Sequence, residues 1–214
     1  MEEKKDTELR LLFRKKKKNI IREVYLYDGM IVKRFVKLAA LPDTRRIWAL
    51  EHMALERLNG LPTPKSFGFI EKKISGAREI LFAREYVDGV SIDMFQPEDI
   101  RPLAWIMARI HRRGVVTRDP HLGNFIRTGD GKILFFDFGR AVVLHRKNPI
   151  LAVLIGKELA RILVHAGLND KSMQWKFLDY YFYFYQPSKI SRRLMEKTCS
   201  MWHRRIRKNK TRRK

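Results

Sequence analysis

Residues 117–139 restrict the fold more than any other part of the chain. Thr117-Arg118-Asp119-Pro120-His121-Leu122-Gly123-Asn124 follows a run in which Leu103, Ile106, Met107 and Ile110 recur at helical spacing. Gly129-Asp130-Gly131 has the composition of a tight turn. The apolar run Ile133-Leu134-Phe135-Phe136 then closes on Asp137-Phe138-Gly139. A charged residue that ends an apolar strand is ordinarily a turn residue. Here the order is helix, short apolar strand, polar loop, hairpin, strand and acidic turn. That order gives Asp137 two companions, Asp119 and Asn124.

These residue types at this spacing suit phosphoryl transfer. Asp119 precedes Asn124 by four intervening residues, the catalytic-loop spacing of kinases. A carboxylate has to accept the proton of an attacking hydroxyl. An amide oxygen one loop-width away has to reach a metal ion held on the phosphates of ATP. Magnesium takes hard oxygen ligands at ~2.0–2.1 Å, which Asn124 and Asp137 supply, and it neutralises charge on the outer phosphates. Neither Asp-Phe-Gly nor Arg-Asp alone is specific; the ordered set is what carries the reading.

The first half of the chain reads mainly as strands. Ile20–Tyr27 and Met30–Val36 flank Asp28-Gly29, a hairpin turn; a weaker strand is expected over Leu9–Phe13. Pro42-Asp43-Thr44 opens a helix with Ile47, Leu50, Met53, Ala54 and Leu58 in phase, ending near Asn59-Gly60. Strands follow at 66–71 and 79–86. Lys33, on the second hairpin strand, is the candidate phosphate-contacting lysine. Glu51 is its candidate partner on the helix, with Glu56 the alternative. Glu85-Tyr86-Val87 is the candidate hinge, where the backbone of Glu85 and Val87 would bond adenine. Residues 1–28 contain no glycine, so a glycine-rich phosphate loop is missing. A lysine-rich turn over Arg14–Asn19 would either hold phosphates by charge or be a solvated basic arm.

After Asp88-Gly89 the chain turns helical, from Pro97 to Gly114 and over about 150–167, 171–185 and 188–208. Tyr180–Tyr185 reads as core helix, and His111 and His121 as scaffold. The expected class is α+β, one domain over 1–214, with strands over about 9–87, helices over 88–208 and a basic, disordered tail at 209–214. The net charge of +23 favours polyanionic partners. Basic residues cluster at both ends, and the last helix intersperses Ile190, Leu194, Met195, Met201, Trp202 and Ile206 with lysines and arginines. Such a helix either lies on an anionic membrane surface or packs its stripe on the protein. The lone Cys199 excludes an internal disulfide and a cysteine-rich zinc site. With no signal-peptide pattern and no run approaching the ~18 apolar residues of a span, the expected location is cytoplasmic, resting on a membrane surface.

Asp-Pro-His-Leu-Gly-Asn-Phe-Ile over 119–126 resembles the catalytic loop of atypical kinases of the aminoglycoside phosphotransferase, ABC1 and RIO types. Within that group the chain is most similar to the lipopolysaccharide core heptose kinases, over about residues 20–200 and most sharply over Val115–Arg140. The resemblance implies a protein-kinase-like two-lobed fold with a reduced N-terminal β lobe and a helical C-terminal lobe. It implies ATP with Mg2+ and transfer to a sugar hydroxyl of the lipopolysaccharide inner core. Asp119 would be the base, Asn124 and Asp137 metal ligands, and Lys33 the phosphate contact. Two alternatives stay open: a small RIO- or ABC1-like kinase or ATPase working with a nucleic-acid complex, and a non-catalytic nucleotide-binding module.

Overall fold

A computed structural model describes residues 8–17, 20–37, 46–74, 77–165, 168 and 170–211. The chain is α+β. Its N-terminal part is a five-stranded antiparallel sheet of order β1-β2-β3-β5-β4, made of β1 (Arg10–Lys17), β2 (Ile20–Tyr27), β3 (Met30–Lys37), β4 (Ser66–Ile74) and β5 (Ala77–Glu85). Helix α1 (Ile47–Arg57) packs against the sheet through the buried Trp48, Glu51, Ala54 and Leu55. Alternation explains the strands. On β3, Ile31, Lys33, Phe35 and Lys37 are buried and the residues between them are not, the two-residue period of a sheet covered on one face. Asp28 and Gly29 both have positive φ, 46° and 67°, as a two-residue hairpin turn of this hand requires.

Two expectations need correcting, and a third falls outside the described residues. Arg14–Lys17 is strand rather than turn: β1 continues through it, with Arg14 opposite Glu23 and Lys15 opposite Arg22. The ladder with β2 supplies the hydrogen bonds that make an extended basic run tolerable. The last helix continues to Thr211 rather than ending at 208, so residues 209–211 of the expected disordered tail are helical, and residues 212–214 lie outside the described residues. Pro42-Asp43-Thr44 lies outside the described residues.

The C-terminal part is mostly helical. Helix α2 (Ile100–Arg112) is followed by β7 (Val115–Val116), the polar loop, and the hairpin of β8 (Phe125–Arg127) and β9 (Ile133–Phe135). Two short strands that the sequence does not announce complete this region. β6 (Val90–Ser91) pairs with β8, and β10 (Val142–Val143) pairs with β7. Phe125, Phe135 and Phe138 are fully buried and meet edge to face, with centroids 5.1 and 5.0 Å apart. This aromatic stack fixes the strand ends from which Asn124 and Asp137 project.

Helices α3 (Pro149–His165), α4 (Lys171–Tyr185) and α5 (Lys189–Thr211) close the structure. In α4, Phe177, Tyr181 and Phe182 are buried, as a core helix requires. The stripe of α5 is divided. Met195, Thr198 and Cys199 are buried and Trp202 and Ile206 pack on the core, while Ile190 and Met201 are exposed. Gly156 of α3 lets α5 approach, because a Cβ there would lie 2.6 Å from the Met195 carbonyl. Burial pushes the Cys199 thiol up to about 12. Among the described residues no helix is long and apolar enough to cross a membrane.

Candidate active site

Lys33 and Glu51 come from the two elements assigned to them and meet in the interior. Lys33 Nζ donates to both carboxylate oxygens of Glu51, at 2.6 and 2.7 Å. Glu51 has no exposed surface. A buried carboxylate is stable only when paired, and a second cation completes the pairing: Arg84 Nε lies 3.5 Å from Glu51 Oε1. Glu56, the alternative partner, is exposed. Burial drives the Lys33 amine below its ordinary value, and Glu51 and Asp137 oppose that.

Asp137 stands beside this pair. Burial alone would raise its carboxyl. The charges of Lys33, Arg22 and Arg84 and the Gly139 N–H, which donates to Oδ1 at 3.1 Å, outweigh burial and hold the carboxyl below its usual range. Gly139 is required here by space. A Cβ at this position would lie 2.8 Å from Ile47 and 3.7 Å from Glu51 Oε2, so the Asp-Phe-Gly turn sits directly on α1.

Asp119 and Asn124 form the other half. Asn124 Nδ2 donates to the Asp119 carbonyl at 2.8 Å, and Phe136 N donates to the Asn124 carbonyl at 3.2 Å. The first bond uses one N–H of the amide and orients it, leaving the amide oxygen as an acceptor and candidate metal ligand. The second sets Asn124 beside the residue preceding Asp137. The Asp119 carboxylate is partly exposed and accepts from Arg140 Nη1 at 3.1 Å. Around it lies a pocket of about 320 Å³ lined by Arg118, Pro120, His121, Arg140, Arg161 and His165. This is a strongly basic mouth around the partly exposed Asp119 carboxylate.

The polar loop is held from below by a residue the sequence reading missed. Glu158 of α3 is 1% exposed. It accepts the backbone N–H of Thr117 at 3.0 Å and of Arg118 at 2.9 Å, and the Thr117 hydroxyl. His111 reaches the same carboxylate through Nε2 at 3.2 Å and Tyr181 OH through Nδ1 at 2.7 Å. These bonds support the left-handed φ of +66° at Arg118, a conformation an arginine seldom adopts without help. Arg161 Nη1 also donates to the Arg118 carbonyl, at 2.5 Å. His111 is thus a scaffold residue, as expected. His121 instead is exposed at the pocket rim.

At the candidate hinge, much of the Glu85 backbone is already engaged. Its N–H donates to the Lys65 carbonyl at 2.8 Å and its carbonyl accepts from Arg84 Nη1 at 3.0 Å. Arg84 was also missed. It stands over the Phe136 ring at 5.5 Å, joining Glu51, the hinge and the strand before Asp137. Val87 lies just beyond β5, between the sheet and the helical part.

The donor set fits magnesium. Asp137 and Asn124 offer a carboxylate and an amide oxygen, the hard ligands this ion takes along with water and phosphate oxygens. Among the described residues no group of three or more His, Cys, Asp or Glu could hold a metal ion.

A sequence-family model described as "Lipopolysaccharide core biosynthesis protein (WaaY)" matches residues 4–194. The chain is also similar to the lipopolysaccharide core heptose(II) kinase WaaY of Escherichia coli, 32% identical over 96 residues. That alignment covers 42% of this chain and 42% of that protein, so it spans less than half of the relative's length.

Proposed function

The chain belongs to the lipopolysaccharide core biosynthesis (WaaY) family, and from that premise we propose that it is an ATP- and magnesium-dependent kinase. Its acceptor is a hydroxyl of a heptose or related sugar in the lipopolysaccharide inner core. On this reading the five-stranded sheet with α1 and the helical C-terminal part are the two lobes of a protein-kinase-like fold. The observation that carries the reading is the buried Lys33–Glu51 pair beside Asp137. A strand lysine, a helix carboxylate and a strand-end aspartate drawn from three distant segments have no common structural need to meet.

Each residue then has a task. Lys33, held by Glu51, takes the outer phosphates. Asn124 Oδ1 and Asp137 would hold magnesium, which would supply positive charge to the transferring group. Asp119 accepts the proton of the sugar hydroxyl as its oxygen bonds to the γ-phosphorus; the bond to the bridging oxygen breaks and ADP leaves. Arg140 orients the Asp119 carboxylate from the solvent side. The hinge from Glu85 to Val87 receives the base. The acceptor is anionic and sits on an anionic surface, which the basic pocket and the +23 charge suit. We read the protein as peripheral on the cytoplasmic face of the inner membrane, with α5 toward the lipid.

Incubating the purified protein with magnesium ATP and a dephosphorylated core oligosaccharide tests this. Phosphate should appear on the heptose, and Asp119→Asn should lower the turnover by at least about 100-fold. No transfer to the sugar by the unaltered protein contradicts the proposal.

A further inference from the structure

The strand that would lead out of a glycine-rich loop carries, in this chain, an arginine with an unspent donor. Arg22 and Val24 of β2 lie opposite Phe35 and Lys33 of β3. Arg22 therefore shares the face of Lys33, one inner position closer to the β1–β2 connection. Its guanidinium lies over the Phe35 ring at 5.8 Å. Its Nε is buried and has no hydrogen-bond partner among the described residues. The Arg22 charge also acts on Asp137 and on Arg84, so the side chain faces the cleft.

The other face of the same sheet behaves differently. There Glu23 takes Arg14 at 3.1 Å and Arg34 at 2.8 Å, and Glu79 takes Arg34 at 2.5 Å. On the cleft face Arg22, Lys33 and Arg84 meet the two carboxylates of Glu51 and Asp137, and Glu51 is committed to Lys33 and Arg84. Among the described residues Arg22 is the arginine of this group that pairs with neither carboxylate, and its buried Nε meets no hydrogen-bond acceptor. A phosphate oxygen is the ligand for such a group, because a guanidinium matches it in charge and in donor geometry.

We propose that Arg22 is a phosphate-contacting residue. Its side chain binds the phosphate chain of the nucleotide and does the work that backbone amides of a glycine-rich loop do in other kinases. This rests on the kinase reading and goes beyond it, since it names a side-chain solution where a backbone one is missing. It also explains why β1 and β2 continue as a regular ladder toward their connection, without glycines.

Calorimetric titration of the full chain with magnesium ATP, magnesium ADP and adenosine tests it, comparing the unaltered protein with Arg22→Gln and Arg22→Lys. Arg22→Gln should weaken ATP about 10- to 100-fold, leave adenosine unchanged and leave the melting temperature close to the original. Arg22→Lys should recover part of the ATP affinity, and it gives the same comparison if the glutamine variant does not fold. Equal ATP affinity in all three proteins overturns the role of Arg22 while the kinase reading stands. An equal loss for ATP and adenosine also overturns it, since Arg22 would then only support the fold. If the unaltered protein binds no ATP, the kinase reading falls, and this inference with it.

Discussion

Glu158 of α3 accepts the backbone N–H of Arg118 at 2.9 Å, placing a buried carboxylate directly behind the loop that presents Asp119. It also holds Thr117 and His111. Replacing it with alanine strands several buried donors, each worth about 1–3 kcal/mol when unsatisfied. Glu158→Ala should therefore lower the stability by about 3 kcal/mol or more. Glu158→Gln, which keeps one acceptor, should fold better yet remain slow in turnover, because Arg118 is no longer held at positive φ. Urea unfolding with an activity assay separates the two effects.

Two glutamates of α1 differ in their surroundings, Glu51 buried and Glu56 exposed. Glu51→Ala leaves Lys33 and Arg84 buried without their counter-charge and should cost about 3–5 kcal/mol. Glu56→Ala, on the exposed side of α1, should stay within about 0.5 kcal/mol of the original. Similar losses for both would mean that the Lys33–Glu51 pair is not the buried centre of the site. Chemical denaturation of both variants decides it.

Asp137 gives a pH dependence with a definite sign. Its carboxyl is held below the ordinary range in the folded state. The ionised group therefore stabilises the fold fully above its unfolded value of about 4. That contribution is lost as pH falls through the lowered folded value. Asp137→Asn should flatten the dependence of stability on pH below about 4, measured by thermal melts across the acid range. An unchanged acid limb would mean that the surrounding cations do not act on Asp137.

What the sequence made legible was the part with a fixed spacing. Asp119, Asn124 and Asp137 stand in one short segment, so their association follows from local geometry. Lys33 and Glu51 needed only the hairpin turn and the helical phase. Arg22, Arg84 and Glu158 stand in no motif of fixed spacing, and a charged side chain is most often exposed. Each lies in phase with an apolar stripe. Arg84 continues Ile80 and Phe82 on β5, Arg22 precedes Val24 on β2, and Glu158 falls between Ile155 and Ile162 on α3. A charged residue at a core position of a strand or helix is the signal that would have found them. The strand nature of Arg14–Lys17 was hidden differently, since a run of lysines has no alternation to read.

The exposed Ile190 and Met201 of α5 lie among basic residues. The full chain should sediment with vesicles containing anionic lipid and much less with zwitterionic ones. Each Lys or Arg near the surface contributes about 1 kcal/mol, so raising the salt should release the protein. Ile190→Glu with Met201→Glu should weaken the binding at low salt. Equal sedimentation with both vesicle types would exclude an electrostatic attachment.

The most direct test of the central claim is mass spectrometry of the lipopolysaccharide core from the cell that encodes this chain. The comparison is between cells with the gene, cells without it, and cells complemented with Asp119→Asn. The account predicts that deletion removes one phosphate from a core heptose, that the unaltered gene restores it, and that Asp119→Asn, although folded, does not. An unchanged core phosphate content after deletion, or full restoration by Asp119→Asn, would contradict it.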